Sequence, residues 1–279
     1  MKNFNGTIQE NEQFISAENR GLNYGDALFE TMKYASGKLL FWEDHYFRLM
    51  ASMRIMRMEI PMNFTMEFLE DEILKTLEAN ALKDDTARIK LLVYREEGGY
   101  YTPESNDVGF VISTNKLENT EYHLNTGHYE VDLFKDYYVS PSLLSTLKSN
   151  NKALHVVGSI YAKENGLNNC LILNTDKQIV EALNGNLFLV KDKTIKTPPL
   201  ADGCLKGVMR QQILELGKSL EDFTIEEASI SPFELQKADE LFITNVITGI
   251  QPISQYRKKT FSSTIGEKLI INLNEKILA

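Results

Sequence analysis

Hydrophobic residues recur along this chain with two spacings, and the switches between them predict its elements. Residues 37–42 (GKLLFW) read as a strand and residues 45–56 (HYFRLMASMRIM) as a helix. In MEFLEDEILKTLEANAL, residues 66–82, the spacing of Leu69, Ile73 and Leu77 puts all three on one helical face. RIKLLVYR (88–95) and VGFVI (108–112) are short apolar runs of the strand type. Polar residues then take over through STNKLENTEYHLNTGH (113–128), within which 116–127 is the expected linker. Beyond it YEVDLF opens a second segment, where CLIL, NLFLV and ELFIT alternate with helices near 150–165 and 207–220. Such alternation predicts an α/β or α+β fold rather than an all-β barrel. The expected division is a small N-terminal α/β domain over 1–115 and a larger C-terminal domain over 128–279.

Length and composition narrow the class. With 279 residues, two domains of roughly 100–150 residues or one large α/β unit both fit, and either buries a sizeable core. A hydrophobic content of 43% with 25% charged residues lies far from the disordered regime. The net charge of −9 and a pI near 5.1 disfavour nucleic acid and anionic membranes as partners, since both reward clustered Lys and Arg. The N-terminal MKNFNGTIQENEQF lacks the apolar core of a signal peptide, so the cytoplasm is the expected compartment. Cys170 and Cys204 have no metal-motif spacing and read as buried thiols. The four histidines show no ligand spacing, and neither GxGxxG nor GxxxxGK[ST] occurs, so no metal and no nucleotide loop is expected.

Four positions carry candidate chemistry. Lys148, in PSLLSTLKSNNKAL, lies between turn residues and the apolar start of a helix, where partial desolvation would favour a nucleophilic amine; a solvated surface lysine is the plainer reading. Glu181, in VEALNGNLF, either ends a strand or offers a carboxylate to a cationic ring nitrogen. In CLKGVMRQQILELGKSL, residues Met209, Ile213, Leu216 and Leu220 form one apolar face, with Gly207 at the first turn. That glycine either serves backbone angles alone or opens the helix N-terminus to an anion such as phosphate. Arg48, one turn after His45, either anchors a phosphate or snorkels to solvent.

The order of these segments resembles one family. RGLNYGDALFETM (20–32) is similar to a GxxYGDxxFET pattern and HYFRLMASM to HxxRLxxS; LKSNN, VEALNGNLF, TPPLADGCLKGVMR, ADELFIT and NVITGIQPI follow in sequence. Together they resemble the class IV, fold-type IV pyridoxal phosphate (PLP) enzymes, which comprise branched-chain aminotransferases, D-amino acid aminotransferases and 4-amino-4-deoxychorismate lyases. The resemblance implies PLP as cofactor, a small N-terminal α/β domain, a larger C-terminal pseudo-barrel domain with the cofactor in the cleft between them, and a homodimer. It makes Lys148 the Schiff-base lysine and proton shuttle, and Glu181 the partner of the ring nitrogen. Arg48, Gly207 with the amides of Val208 and Met209, and the turn at Asn245 and Val246 become the phosphate side. Tyr24, Phe29 and Thr31 line the substrate side, with Arg88, Arg95 or Arg20 holding the substrate carboxylate.

Departures from the family pattern point within it. GVMR stands where aminotransferases often carry GITR, and Asn245-Val246 where ST or GT is common. Both changes, with Phe261–Ser263, resemble the aminodeoxychorismate lyases. Tyr100 and Thr102 stand where D-amino acid aminotransferases place an Arg and a His. GGYYTP, however, departs from the GGRGY of the lyases. The resulting expectation is a lyase releasing pyruvate and 4-aminobenzoate for folate synthesis, with a branched-chain or other aminotransferase as the alternative. A non-catalytic PLP-binding or scaffold protein is the third option, and it predicts that Lys148→Ala leaves the biological role intact.

Overall fold

The computed structural model describes residues 1–10 and 15–278, and the chain forms two compact units. The first comprises Met1–Thr120 together with Leu147–Asn151; the second comprises Glu121–Thr146 and Lys152–Ala279. Segment 147–151 lies with the first unit although it is far from it in sequence.

In chain order the first unit holds β1 (Lys2–Phe4), β2 (Thr7–Gln9), α1 (Arg20–Asn23), β3 (Ala27–Ala35), β4 (Lys38–Leu39), α2 (Trp42–Ile55), α3 (Met66–Ala79), β5 (Ala87–Arg95) and β6 (Val108–Lys116). Its strands form one sheet in the order β2-β1-β6-β5-β3-β4. One face carries Leu28, Met32, Ile89, Leu91 and Val93, which pack with Leu69, Ile73 and Leu77 of α3 in a single core. The helical face expected for 66–82 is therefore the buried one, although α3 stops at Ala79. Thr65 starts that helix by accepting the Phe68 N–H at 3.1 Å.

The run expected as a strand at 37–42 contributes only Lys38–Leu39. Ser36 and Gly37 both have positive φ (52° and 77°), the signature of a two-residue hairpin turn joining β3 to β4. Phe41 is also left-handed (φ 58°) and redirects the chain into α2, whose first turn carries Glu43 and Asp44 against the helix dipole. Strand β6 extends past the expected Ile112 to Lys116, pairing with β5 as far as Ala87.

The second unit contains β7 (Glu130–Val139), α4 (Ala153–Glu164), β8 (Asn169–Asn174), β9 (Ile179–Ala182), β10 (Asn186–Lys191), β11 (Thr194–Thr197), α5 (Val208–Lys218), β12 (Thr224–Glu227) and α6 (Pro232–Leu235). These are followed by β13 (Glu240–Asn245), β14 (Gly249–Ile253), β15 (Gln255–Tyr256), β16 (Lys259–Thr260) and α7 (Thr264–Leu278). Two five-stranded sheets result, β12-β11-β10-β13-β14 and β16-β15-β7-β8-β9. Leu171 and Ile179 from one and Leu187, Leu241 and Ile243 from the other share one core, as a curled pseudo-barrel requires. Glu240, a buried acid, caps α7 by accepting the N–H groups of Ile265 and Gly266 at 2.9 and 3.2 Å. Both cysteines are buried, and burial pushes the thiols up to about 11 for Cys170 and about 12 for Cys204.

Candidate active site

Lys148 owes its position to strand pairing within the first unit. Leu147 is buried in that unit's core, and the next residues run antiparallel to the start of β3. The Phe29 N–H donates to the Lys148 carbonyl at 2.8 Å, and the Asn150 N–H donates to the Ala27 carbonyl at 2.9 Å. Two sequence motifs meet here: Gly25 has φ +65°, and a Cβ on it would lie 2.5 Å from Asn151 Oδ1. Glycine is needed in NYGD because the SNN segment lies against it. The half-buried Lys148 ammonium stands 4.7 Å from the Phe29 ring centroid, a cation–π distance.

Alternation along β3 puts Phe29, Thr31 and Lys33 on the face opposite Leu28 and Met32. Register places Lys90 opposite Thr31 and Arg88 opposite Lys33 on β5, so three cations share the face that carries Phe29. Lys90 Nζ is 5.0 Å from the Phe29 ring, and burial, with the like charge of Arg88, lowers its pKa. Lys33 is buried, and desolvation brings its ammonium down to about 8. Like charges directly opposite one another are unfavourable, and a bound carboxylate would offset that cost. Lys33 and Lys90 escaped the reading by motif, yet the period-2 spacing from Phe29 through Thr31 to Lys33 is visible in the sequence.

On the other face, Arg48 sits over Glu30: its Nε donates to Oε1 at 2.8 Å and its Nη2 bonds Oε2. His45 Nδ1 lies 2.6 Å from the same Oε2. Burial alone would raise the Glu30 carboxyl, but the Arg48 charge and the hydrogen bonds from His45 and Arg48 outweigh it and bring it to about 2. Burial is also the main cause of a lowered His45 pKa, against the opposing pull of Glu30. Arg48 therefore neither snorkels nor stands in solvent. Its guanidinium plane is fixed by a buried acid.

Two of the three arginines offered for the substrate carboxylate are engaged within the first unit. Arg95 donates from Nε to Asp26 Oδ2 at 2.8 Å, from Nη1 to the Arg57 carbonyl and Asn106 Oδ1, and from Nη2 to the Met56 carbonyl. All three nitrogens serve the fold. Arg20 shares Asp26 Oδ2 at 3.1 Å and binds the carbonyls of Gly98, Gly99 and Tyr100, tying down the GGY loop. Its guanidinium also covers the Tyr24 ring, which packs on Tyr101. Arg88 is exposed, at the edge of the cation-bearing face.

The second unit holds the remaining residues. Glu181 is 6% exposed on β9, beside a register shift between Ile172 and Leu173 of β8. Such a bulge re-aims side chains. Glu181 Oε2 accepts the Leu205 N–H at 2.9 Å, and Oε1 lies 3.2 Å from His155 Nε2. Leu205 leads into α5, where Gly207 is the N-cap and no side chain caps the helix. The first N–H groups, those of Val208 and Met209, have no intrahelical acceptor at such an end, which suits an anion. A Cβ on Gly207 would collide with Asn186 Oδ1, and Asn186 Nδ2 donates to the Leu205 carbonyl at 2.9 Å. Asn186 pairs with Thr244 across β10 and β13, so one side chain joins the α5 entry to the strand that ends at Asn245. There Asn245 Oδ1 accepts the N–H groups of Ile247 and Thr248 at 3.0 Å, and the Val246 carbonyl accepts the Tyr122 hydroxyl. Met209 and Ile213 are buried as expected; Leu216 is half-buried, and Leu220 lies past the helix end at Lys218.

The donor chemistry fits PLP. In the first unit a primary amine lies beside an aromatic ring; in the second, a buried carboxylate and an uncapped helix start with a crowded glycine are groups of the kinds that pair with a pyridinium nitrogen and with a phosphate. Comparison with known proteins agrees. The chain is similar to a putative branched-chain-amino-acid aminotransferase of Methanocaldococcus jannaschii, 27% identical over 96% of this chain and 92% of the relative. It is also similar to an aminodeoxychorismate lyase of Vibrio harveyi, 28% identical over 84% of each chain. The solved branched-chain aminotransferase of Thermoproteus uzoniensis superposes with a TM-score of 0.89 at 23% identity, covering 99% of this chain and 94% of that one. The sequence profile described as Amino-transferase class IV matches residues 27–256, a span that includes Phe29, Lys148, Glu181 and Asn245, and the chain belongs to that family of PLP enzymes.

Proposed function

We propose that this class IV enzyme is a 4-amino-4-deoxychorismate lyase, forming 4-aminobenzoate and pyruvate. The observation that carries the reading is the make-up of the phosphate side. Met209 buries its side chain in the core face of α5, and Asn245 spends its oxygen on its own turn. Backbone N–H groups are left to hold the anion where a threonine hydroxyl often serves in aminotransferases, and this is the pattern that resembles the lyases.

When bound, PLP supplies an aldehyde that condenses with amines and a ring that accepts electrons. The Lys148 amine would hold the cofactor and would be the base that takes the proton from the substrate ring carbon bearing nitrogen. Glu181 keeps an anionic carboxylate toward the ring nitrogen. By the family resemblance Arg48, the amides of Val208 and Met209 and the Asn245–Val246 turn would serve the phosphate, while Lys33 and Lys90 would attract the substrate carboxylates beside Phe29 and Thr31. With that proton passed to the methylene carbon of the departing enolpyruvyl group, pyruvate would leave as the substrate ring becomes aromatic, and no keto-acid acceptor is needed. A second copy of the chain completes the enzyme in this reading, supported by the exposed apolar residues Val156, Val157 and Ile160 on α4.

The test is incubation of the PLP-loaded protein with 4-amino-4-deoxychorismate alone. Stoichiometric release of pyruvate and 4-aminobenzoate over many turnovers is expected. Failure of that release, with amino transfer from an amino acid to 2-oxoglutarate, would replace the lyase by an aminotransferase. That second reading draws on the archaeal aminotransferase relative, which aligns with 96% of the chain.

A further inference from the structure

His155 belongs to none of the family motifs, yet it is the side chain that meets Glu181. It occupies the third position of α4, with its own carbonyl accepting the Ser159 hydroxyl. Its Nε2 lies 3.2 Å from Glu181 Oε1, while the Leu205 N–H holds Oε2 at 2.9 Å. The carboxylate is thus gripped at each oxygen from a different element, α4 on one side and the α5 entry on the other. Strand β9 fixes its backbone.

The other imidazole nitrogen argues against a purely structural contact. Nδ1 is buried without a hydrogen-bond partner among the described residues. A histidine placed only for packing would carry the cost of that orphaned atom for one side-chain bond. An ionised carboxylate is an acceptor only, so it selects the tautomer with the proton on Nε2 and leaves Nδ1 as the bare lone pair. Each Glu181 oxygen accepts one of these bonds, and a carboxylate has about four lone-pair positions. A further donor can still be received.

We propose that His155 is a positioning residue: its Nε2–H fixes the rotation of the Glu181 carboxylate so that the anion is presented to the ring nitrogen of the bound cofactor. This rests on the reading of Glu181 as that nitrogen's partner. A glutamine carries its side-chain nitrogen at the same bond count from Cα as histidine Nε2, whereas leucine has no donor. His155→Gln therefore restores the contact and His155→Leu removes it.

The measurement is the ¹⁵N NMR shift of the ring nitrogen of isotopically labelled PLP bound to each variant, together with the PLP dissociation constant. In the unsubstituted protein and in His155→Gln the shift should report a protonated nitrogen. In His155→Leu it should move toward the unprotonated value, with PLP binding weakened about ten-fold, the scale of one hydrogen bond to a charged group. In a Glu181→Gln background, His155→Leu should change neither quantity further, because its effect passes through the carboxylate. Two outcomes separate the ideas. If Glu181→Gln moves the shift but His155→Leu does not, the role of His155 is overturned while that of Glu181 stands. If Glu181→Gln itself leaves the shift in place, the Glu181 reading fails and this proposal with it. Should His155→Leu not fold, His155→Asn replaces it, since its amide is too short to reach, and the same shift decides.

Discussion

Glu30 in the first unit and Glu181 in the second are both buried glutamates on strands, yet Glu30 meets a guanidinium at two nitrogens plus a histidine, whereas Glu181 meets a backbone amide and a histidine. The charge of Glu30 is balanced inside its own unit, and its carboxyl is held near 2 as a result. Glu181 accepts one bond at each oxygen from these partners and keeps capacity for a donor arriving from outside. A buried acid matched by an arginine fixes a framework; one held by an amide and an imidazole is, in the function proposed above, oriented for the cofactor. The same residue type in the same burial class thus serves two ends, and the partners tell them apart.

Exchanging the carboxylates for amides breaks the comparison most sharply. Glu181→Gln should slow turnover by on the order of 10²–10³-fold, as loss of one preorganised electrostatic partner does, while the denaturation midpoint of the apoprotein hardly moves. Near-normal steady-state rates would remove Glu181 from the chemistry. Glu30→Gln should act first on the fold, because it leaves the Arg48 guanidinium buried without its counter-charge. We expect a loss of about 3–5 kcal/mol of stability, read from urea melts, and an unchanged midpoint would show that the pair is dispensable to the fold.

The depressed carboxyl of Glu30 adds a pH dependence of known sign. Its folded value of about 2 lies below the ordinary 4.5, so the folded state binds fewer protons than the unfolded chain between those limits. The contribution is complete above pH 4.5 and disappears as pH falls toward 2. Urea midpoints measured from pH 6 down to pH 3 should fall more steeply in the unsubstituted protein than in Glu30→Gln. Parallel slopes would mean that other carboxylates govern acid unfolding.

Some of the strands and helices were legible from their apolar patterns: Leu69, Ile73 and Leu77 announce α3, and the apolar runs announce β5, β8, β10 and β13, whereas β3 and α7 went unread. Lys148, Glu181 and Gly207 were singled out through ordered motifs, and the structure shows the local geometry those motifs encode: the Lys148 segment paired with β3, Glu181 buried on β9 and Gly207 at the start of α5. Other features depend on register or on distant pairing. GKLLFW has a strand's composition, but two positive-φ turn residues and the left-handed Phe41 end the pairing after Leu39. Arg95 has a motif-like position, and only its three-dimensional neighbours show that every nitrogen serves the fold. His155 reaches Glu181 from a helix 26 residues earlier, and no spacing rule links a helix residue to a strand residue beside a bulge.

The cation-bearing face of the first sheet extends the contrast and carries the smallest expected effect. Lys33 titrates near 8 rather than 10.5 because burial disfavours its charged form. Between those values the unfolded chain binds the extra proton, so the Lys33 contribution to stability rises as pH climbs from 8 to 10.5, opposite in direction to that of an ammonium stabilised by a partner. Substrate affinity should run the other way. A carboxylate attracted to the Lys33 ammonium is held below pH 8 and released as that proton leaves, so KM should increase across pH 8–9. Lys33→Met should raise KM by about ten-fold, the scale of one charge-assisted hydrogen bond, leave kcat within a factor of a few and flatten that rise. If the rise in KM persists in Lys33→Met, the titrating group lies elsewhere, and Lys90, with its ring contact to Phe29 and its lowered pKa, becomes the next residue to substitute.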